Sequence, residues 1–175
     1  QNAPAYGLTG GIHSLDPAEV ATWLERVEVG NAYVNRHTTG AVVRRQPFGG
    51  WKRSAVGPTA KAGGPNYVLT LGRWSGPLAG AGASFARWWS EEFGAEHDPS
   101  GLAAEGNVLR YRPFPRGVLL RVGAGVTQEE VEVAVAAAGT VGTPVTVCHD
   151  DDATLAARLP GLAVDRLRAL GPLRD

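Results

Sequence analysis

The sequence predicts an α/β fold, and a βαβ unit is its most regular part. Residues 117–122 and 144–148 are short apolar stretches rich in β-branched side chains, which is typical of buried strands. Between them, Thr127-Gln128-Glu129-Glu130 has the capping-box pattern that opens a helix, and we expect this helix to continue to about residue 138. Strand, helix and strand at this spacing favour two parallel strands joined by a crossover helix.

A helix and a strand are also predicted near the start of the chain. Asp16 and Pro17 suit the cap and first position of a helix, and Glu19 is placed to return a hydrogen bond to the cap. Gly30 is placed to end this helix, and residues 32–35 favour a short buried strand. The apolar side chains that repeat at helical spacing between cap and end are Val20, Trp23, Leu24 and Val27.

The middle of the chain is less regular. Residues 36–66 are dense in Gly and Pro, and a loop of this length is usually functional. Residues 67–71 favour a strand, and residues 72–84 have the composition of a linker. The remaining elements that we predict are a short amphipathic helix over 85–93, a half-exposed strand over 107–112 and a helix over 152–159.

Composition excludes several classes of protein. The 17 basic and 17 acidic residues balance, so the charge does not favour nucleic acid or an anionic membrane as partner. The apolar runs are too short to span a bilayer, and the four His have no metal-site spacing, so we expect no metal. The single cysteine fits a reducing, cytoplasmic setting. The absence of methionine favours a fragment, and the preference for Gly, Ala and Arg suggests a GC-rich, bacterial source.

Three segments, in order, resemble the last stretch of the catalytic domain of aldehyde dehydrogenases. They are residues 6–14 (YGLTGGIHS), 28–35 (EVGNAYVN) and 46–50 (QPFGG). Asn35-Arg36, followed by TGAVV at 39–43 and AGGPNY at 62–67, resembles one branch of that superfamily. This branch is the L-glutamate γ-semialdehyde, or 1-pyrroline-5-carboxylate, dehydrogenases, and the pattern is similar to the dehydrogenase module of bifunctional proline-utilisation proteins.

The resemblance implies three regions. Residues 1–74 would be the end of the catalytic domain, with 67–71 as the family's terminal strand that pairs with a neighbouring subunit in a homo-oligomer. Residues 75–105 would be a linker with a short helix. Residues 106–175 would belong to a C-terminal α/β domain, because NVLRYRP at 107–113 resembles the start of the extra domain of longer proline-utilisation proteins. The sequence stops soon after the helix predicted at 152–159, so we expect this domain to be partial.

The resemblance also implies an activity that this chain lacks by itself. The family oxidises an aldehyde through a cysteine thioester and passes hydride to NAD. The nucleophile, the water-activating glutamate and the dinucleotide domain would all lie upstream of Gln1, so we expect the chain alone to be inactive. Cys148 lies outside the matching segments, and we interpret it as a buried structural cysteine. The competing hypothesis is a non-catalytic binding or assembly module.

The substrate residues that the resemblance implies are Gly40, Ala41 and Phe48. Gly40-Ala41 match the loop whose backbone N–H groups bind the substrate α-carboxylate, although a plain turn is the alternative. Phe48 matches the aromatic wall beside the aldehyde chain, although a packed core ring is equally compatible. Ala55 stands where many family members have glycine. The basic side chains of this region are either paired with acidic groups or steer an anionic substrate: Arg36, Arg44, Arg45, Lys52 and Arg53.

Overall fold

The structure, a computed structural model, describes residues 1–39, 41–57, 60–73 and 75–172. The chain divides into two compact units, one from residues 1–74 with 97–109 and the other from residues 75–96 with 110–175. Helices and strands are mixed in the order of the chain, in agreement with the predicted α/β class. Among the helices of the described ranges, none has the length and apolar content to cross a bilayer.

The first unit contains a βαβ arrangement that the sequence analysis did not predict as such. Strand β2 runs parallel to strand β3, with Thr9 paired to Asn31 and Ile12 to Val34, and helix α1 connects them. Strands β1 and β4 form a separate antiparallel pair. The elements are β1 (Tyr6–Gly7), β2 (Thr9–Ile12), α1 (Pro17–Arg26), β3 (Asn31–Val34) and β4 (Trp51–Lys52).

The start of α1 confirms the predicted cap and corrects the predicted capping box. The carboxylate of Asp16 accepts a hydrogen bond from Ala18 N at 2.8 Å, and Pro17 occupies the first turn. Glu19 does not reach back to the cap directly. Its carboxylate accepts from Ser14 Oγ at 2.5 Å, and Ser14 Oγ accepts from Asp16 N at 3.0 Å. The serine hydroxyl therefore relays the bond that the sequence pattern assigned to Glu19.

The prediction of a strand over residues 67–71 was wrong for this chain, because Val68–Leu71 form a 3-10 helix. Thr70 N donates to Tyr67 O at 3.1 Å, so the backbone satisfies itself locally. A strand needs a partner for its hydrogen bonds, and none of the strands in the described ranges pairs with this segment. In this chain the segment is instead a short 3-10 helix with local backbone hydrogen bonds.

The second unit confirms the predicted βαβ core. Strands β5 and β6 are parallel, from Val118–Val145 to Arg121–Cys148, and α3 begins with the predicted Thr127–Glu130 capping box. The sheet order is β6-β5-β7, and β7 is also parallel to β5. The elements are α2 (Ala81–Trp88), β5 (Val118–Val122), α3 (Gln128–Thr140), β6 (Val145–Cys148), α4 (Asp152–Arg158) and β7 (Arg166–Leu170). A π-helical turn, Trp89–Phe93, follows α2.

The core of the second unit lies on the sheet. Leu119, Cys148 and Leu155 are buried together, with Leu162 and Val164 packed against them. Cys148 is a free, buried cysteine, which supports the structural interpretation of this residue. The sequence analysis missed β7, although Arg and apolar residues alternate in it as they do in a half-buried strand. Its pairing with β5 is visible only in the structure.

The predicted strand over residues 107–112 is also absent. One antiparallel bridge joins His97 and Leu109, and no longer ladder includes this stretch within the described residues. Asn107 explains the difference, because its backbone N donates to Asp98 Oδ2 at 2.8 Å and its side chain donates to Ser100 Oγ at 3.0 Å. The buried asparagine thereby fixes a loop where alternation alone favoured a strand.

Candidate functional site

The described part of the candidate site is the turn around Phe48. Phe48 N donates to Ala62 O at 3.0 Å, and Ala62 N donates to Phe48 O at 2.9 Å. This pair forms an isolated antiparallel bridge, so the backbone of Phe48 is fixed from the far side of the loop. Phe48 is half-buried, so part of the residue remains accessible.

Asn31 holds the same turn from strand β3. Its side chain is buried, donates from Nδ2 to Pro47 O at 2.9 Å and accepts at Oδ1 from Gly49 N at 3.1 Å. These two bonds lie on either side of Phe48 along the chain. One amide side chain therefore fixes the main chain before and after the aromatic residue.

Lys61 brings a third attachment to this turn. Its ammonium donates to Gly49 O at 3.1 Å, to Asn31 Oδ1 at 3.3 Å and, in a very short contact, to Gly30 O. Burial lowers the pKa of Lys61 from its ordinary value to about 8. Three oxygen acceptors surround three N–H donors, which matches the hydrogen-bonding capacity of an ammonium group.

The close approach of β3 to the turn requires glycine at Gly30. A Cβ at this position would lie 1.8 Å from Gly49 O and 2.6 Å from Gly50 Cα, far inside van der Waals contact. The glycines of the Pro47-Phe48-Gly49-Gly50 motif and of the motif at 28–35 therefore meet one another. Two of the three segments that carry the family resemblance, 28–35 and 46–50, are therefore in direct contact.

The segment that carries the predicted carboxylate loop is bordered by two arginines. Glu105 Oε1 accepts from Arg45 Nη1 at 3.0 Å, and Glu105 Oε2 lies 3.8 Å from Arg36 Nη1. The Arg36 guanidinium also lies 5.2 Å from the centre of the Tyr33 ring. Of the predicted residues within this segment, Ala41 is exposed and Gly40 lies outside the described residues.

The ion pairs favour charge neutralisation over anion steering for three of the five basic residues. Arg36 and Arg45 share Glu105, and Lys52 Nζ lies 2.7 Å from Glu28 Oε2. A carboxylate that is paired with a guanidinium neutralises its charge, and this reduces the attraction of the guanidinium for a substrate anion.

A cavity in the first unit lies away from this turn. It measures about 400 Å³, is open to solvent and is lined by Leu15, Val20, Leu24 and Asn35 among others, without Ala41 or Phe48. In the same described ranges, no group of three or more His, Cys, Asp or Glu side chains could hold a metal ion.

The first comparison concerns the class of protein. Residues 1–71 match the family model "Aldehyde dehydrogenase family". This match contains the three segments that the sequence analysis singled out, and it contains the Phe48 turn with Asn31 and Lys61.

Individual relatives show which members of this family the chain resembles. Bifunctional protein PutA of Klebsiella aerogenes is 48% identical over 86 residues, which are 49% of this chain and 6% of that protein. The 1-pyrroline-5-carboxylate dehydrogenase of Bacillus subtilis is 46% identical over 68 residues, which are 39% of this chain and 13% of that protein. The solved structure of Proline Utilization A (PutA) from Corynebacterium freiburgense has a TM-score of 0.76 and 41% identity, and the likeness covers all of this chain.

These comparisons confirm the predicted resemblance to aldehyde dehydrogenases, and to PutA and 1-pyrroline-5-carboxylate dehydrogenases among them. The chain spans a small part of each relative: 6% of the Klebsiella PutA, 13% of the Bacillus dehydrogenase and 19% of the solved PutA chain.

The sequence analysis missed Asn31, Lys61 and Glu105. Asn31 and Lys61 stand inside or beside quoted motifs, so an expectation that buried polar groups must be paired would have singled them out. Glu105 gave no signal, because it lies about 60 residues from its partner Arg45 along the chain.

Proposed function

We propose that this chain is part of an NAD-dependent L-glutamate γ-semialdehyde dehydrogenase, which oxidises the semialdehyde to glutamate in proline catabolism. The family match over residues 1–71 and the PutA and dehydrogenase relatives support this proposal. Residues 1–74 would be the end of the catalytic domain, 75–105 a linker with a short helix, and 106–175 a partial C-terminal α/β domain. The chain would supply the substrate-carboxylate loop and subunit contacts.

The observation that carries the proposal is the fixed turn around Phe48. Asn31 and Ala62 hold its backbone on three sides, and the residue remains half accessible. An aromatic ring suits the apolar methylenes of a short aldehyde. Because the backbone of Phe48 is already fixed, binding of the aldehyde costs little conformational entropy at this residue. The α-carboxylate at the other end of the substrate would be bound by main-chain N–H groups at Gly40 and Ala41.

The nucleophile and the dinucleotide site would come from the upstream part of the same enzyme. Cys148 is buried in the second unit, outside the residues that match the family. The start of α3 does not suit a pyrophosphate, because the Glu130 carboxylate already accepts from Thr127 N at 2.7 Å. NAD, bound by that upstream part, would accept the hydride of the aldehyde.

The proposal also includes the source, the cellular compartment and the oligomeric state of the enzyme. We expect a bacterial, cytoplasmic homo-oligomer in which residues 67–71 contact a neighbouring subunit. The apolar side chains of Val68 and Leu71 are 72% and 76% exposed, which suits a segment that another subunit covers.

The test uses the complete gene product that carries this chain. We expect NAD reduction that depends on glutamate semialdehyde, and Phe48→Ala should raise KM for the semialdehyde about tenfold, the value of one buried aromatic contact. Phe114→Ala, which removes an aromatic side chain of the second unit, is the control and should leave KM unchanged. Absence of aldehyde-dependent activity in the wild-type gene product would contradict the proposal.

The alternative, a non-catalytic binding or assembly module, is supported by one observation. In the first unit, large apolar side chains such as Leu15 and Val43 are almost fully exposed, at 100% and 90%. If the complete gene product bound partner proteins tightly but reduced no NAD with any aldehyde, this alternative would replace the enzyme.

A further inference from the structure

Two side chains without an assigned role converge on the Phe48 turn. Asn31 is the first residue of β3, and Lys61 lies immediately before Ala62, the bridge partner of Phe48. The two side chains also touch each other, because Lys61 Nζ donates to Asn31 Oδ1 at 3.3 Å. They form one hydrogen-bonded group, which we call the Asn31–Lys61 lock.

The lock and Ala62 together bind the main chain at Phe48 and on both sides of it. Asn31 binds Pro47 O and Gly49 N, Lys61 binds Gly49 O, and Ala62 binds both N and O of Phe48. The ammonium also contacts Gly30 O, at the point where glycine allows β3 and the turn to approach. The turn is therefore attached to β3 by side chains and not by a strand ladder.

An ammonium group in this place has a cost that packing alone does not explain. Removing a charge from water is unfavourable unless its donors are satisfied, and an apolar side chain of similar length would avoid this penalty. Here all three donors of Lys61 point to oxygens that belong to the turn, to β3 or to Asn31. Burial of the Lys61 ammonium costs desolvation energy, and its directional hydrogen bonds hold the Phe48 turn in one position.

From this geometry we propose that Asn31 and Lys61 are positioning residues, which set the backbone of Phe48 and thereby the aromatic wall of the aldehyde pocket. The hold on the turn is a property of the chain itself. The consequence for the aldehyde rests on the proposed function, since Phe48 is the substrate wall only within that proposal.

The hold is tested first on the 175-residue chain by hydrogen exchange. Lys61→Met should raise the exchange rates of the Phe48, Gly49 and Ala62 amides about tenfold to a hundredfold, as expected for loss of a charge-assisted hydrogen bond. Lys52→Met is the matched control. Lys52 is the other lysine of the chain and also binds main-chain oxygens, at Asn2 and Pro4, but it does not contact the turn.

A second variant distinguishes loosening of the turn from general unfolding, which Lys61→Met alone would not do. Asn31→Asp keeps an acceptor near Lys61 and Gly49 N but loses the donor to Pro47 O. Exchange should rise at the turn amides and stay unchanged in β5, in the other unit. Unchanged exchange at Phe48 and Ala62 in both variants would overturn the hold.

The role in the pocket is tested on the complete gene product by steady-state kinetics with glutamate semialdehyde. Lys61→Met and Asn31→Asp should raise KM about fivefold to tenfold with kcat changed less than twofold, because they displace a wall and touch no reacting group. Phe48→Leu serves as the reference for direct loss of the wall.

The outcomes separate the two levels of the proposal. If Phe48→Leu raises KM but the lock variants do not, despite faster exchange, the positioning role is wrong and the proposed function stands. If none of the three variants changes KM, Phe48 is not the substrate wall and the proposed site is wrong, whereas the hold on the turn survives if exchange has increased.

Discussion

At the scale of single residues, Lys61 combines burial with three oxygen acceptors. The acceptors favour the ammonium, while desolvation favours the neutral amine, and burial lowers the pKa to about 8. Since a neutral amine keeps two N–H donors, deprotonation removes one contact and leaves the others possible. Lys61 is thus a residue whose charge state changes close to neutral pH.

The pKa of Lys61 predicts how stability changes with pH. In the unfolded chain the side chain titrates near 10.5 and in the folded chain near 8, so the unfolded state binds more protons between these values. The free energy of unfolding should therefore rise with pH from about 8 to 10.5, by at most about 3 kcal/mol, and the gain should be absent below pH 8. The measurement is urea unfolding of the chain and of Lys61→Met, whose difference isolates this residue.

The titration can also be observed directly. With lysine labelled at Cε, the chain should give two signals, because it contains Lys52 and Lys61 only, and Lys52→Met assigns them. A Lys61 signal that titrates near 10.5 would contradict both the lowered pKa and the predicted rise in stability.

At the scale of elements, the segment around 97–109 and the segment 36–45 are joined through charge. Glu105 contacts Arg36 and Arg45, and Asn107 Nδ2 donates to Glu105 Oε1 at 3.2 Å, which fixes the carboxylate from behind. The charged side chains of this group are 27% to 45% exposed, so each ion pair contributes little alone. Together the two pairs hold both ends of segment 36–45 at one carboxylate, that of Glu105.

Glu105→Gln is predicted to loosen this segment. Trypsin should cleave after Arg44 and Arg45 about two- to fivefold faster, since half-exposed ion pairs contribute up to about 1 kcal/mol. Glu96→Gln, which removes the 3.2 Å pair with Arg110 in the second unit, is the control and should leave this rate unchanged. Equal cleavage rates in the wild type and Glu105→Gln would show that the pairs do not restrain the segment.

Helix α3 allows a prediction from its cap. Thr127 Oγ1 accepts from Glu130 N at 3.3 Å, and Glu130 accepts from Thr127 N at 2.7 Å, so two otherwise unpaired N–H groups are satisfied. Thr127→Ala should lower the free energy of unfolding by about 1 kcal/mol. Thr140→Ala, at the other end of the helix, removes only a bond to Ala136 O and should change it by less than about 0.5 kcal/mol. Urea unfolding followed by circular dichroism compares the two.

At the scale of the whole molecule, capping residues and apolar periodicity predicted helices and central strands. Features that depend on contacts between distant residues were not predicted. The caps of α1 and α3, strands β3, β5 and β6, and the parallel pairing of β5 with β6 follow from periodicity and capping residues. The 3-10 helix Val68–Leu71 depends on which strands are available for pairing, and no local pattern encodes that. Strand β7 carries a local alternation, but its place beside β5 is a long-range feature.

The candidate site divides in the same way. Motif resemblance implied Gly40, Ala41 and Phe48 as site residues, but not the groups that hold the Phe48 turn. Asn31, Lys61 and Glu105 act across 12 to 69 residues of sequence, from Lys61–Gly49 to Glu105–Arg36 (105 − 36), and a contact of that range is not visible in spacing or composition. A lysine next to a glycine-rich motif is visible in the sequence, but its burial, and with it the need for several acceptors, is visible only in the structure.

The exposed apolar segment after the Phe48 turn predicts how the isolated chain behaves. Tyr67, Val68, Leu69 and Leu71 are each more than two-fifths exposed, and they follow one another closely along the chain. Side chains of this kind gain about 1.5 kcal/mol or more each when they are buried against another molecule. We therefore expect concentration-dependent self-association of the 175-residue chain in sedimentation velocity.

The double variant Val68→Ser/Leu71→Ser should weaken this self-association at least about tenfold, because it removes two of the most exposed apolar side chains of the segment. Val56→Ser is the matched control: Val56 is 89% exposed but lies between Ala55 and Gly57, without large apolar neighbours in sequence. An equal effect of Val56→Ser would assign the association to general apolar exposure. A wild-type chain that stays monomeric at all concentrations would remove the support that these side chains give to a subunit contact at residues 67–71.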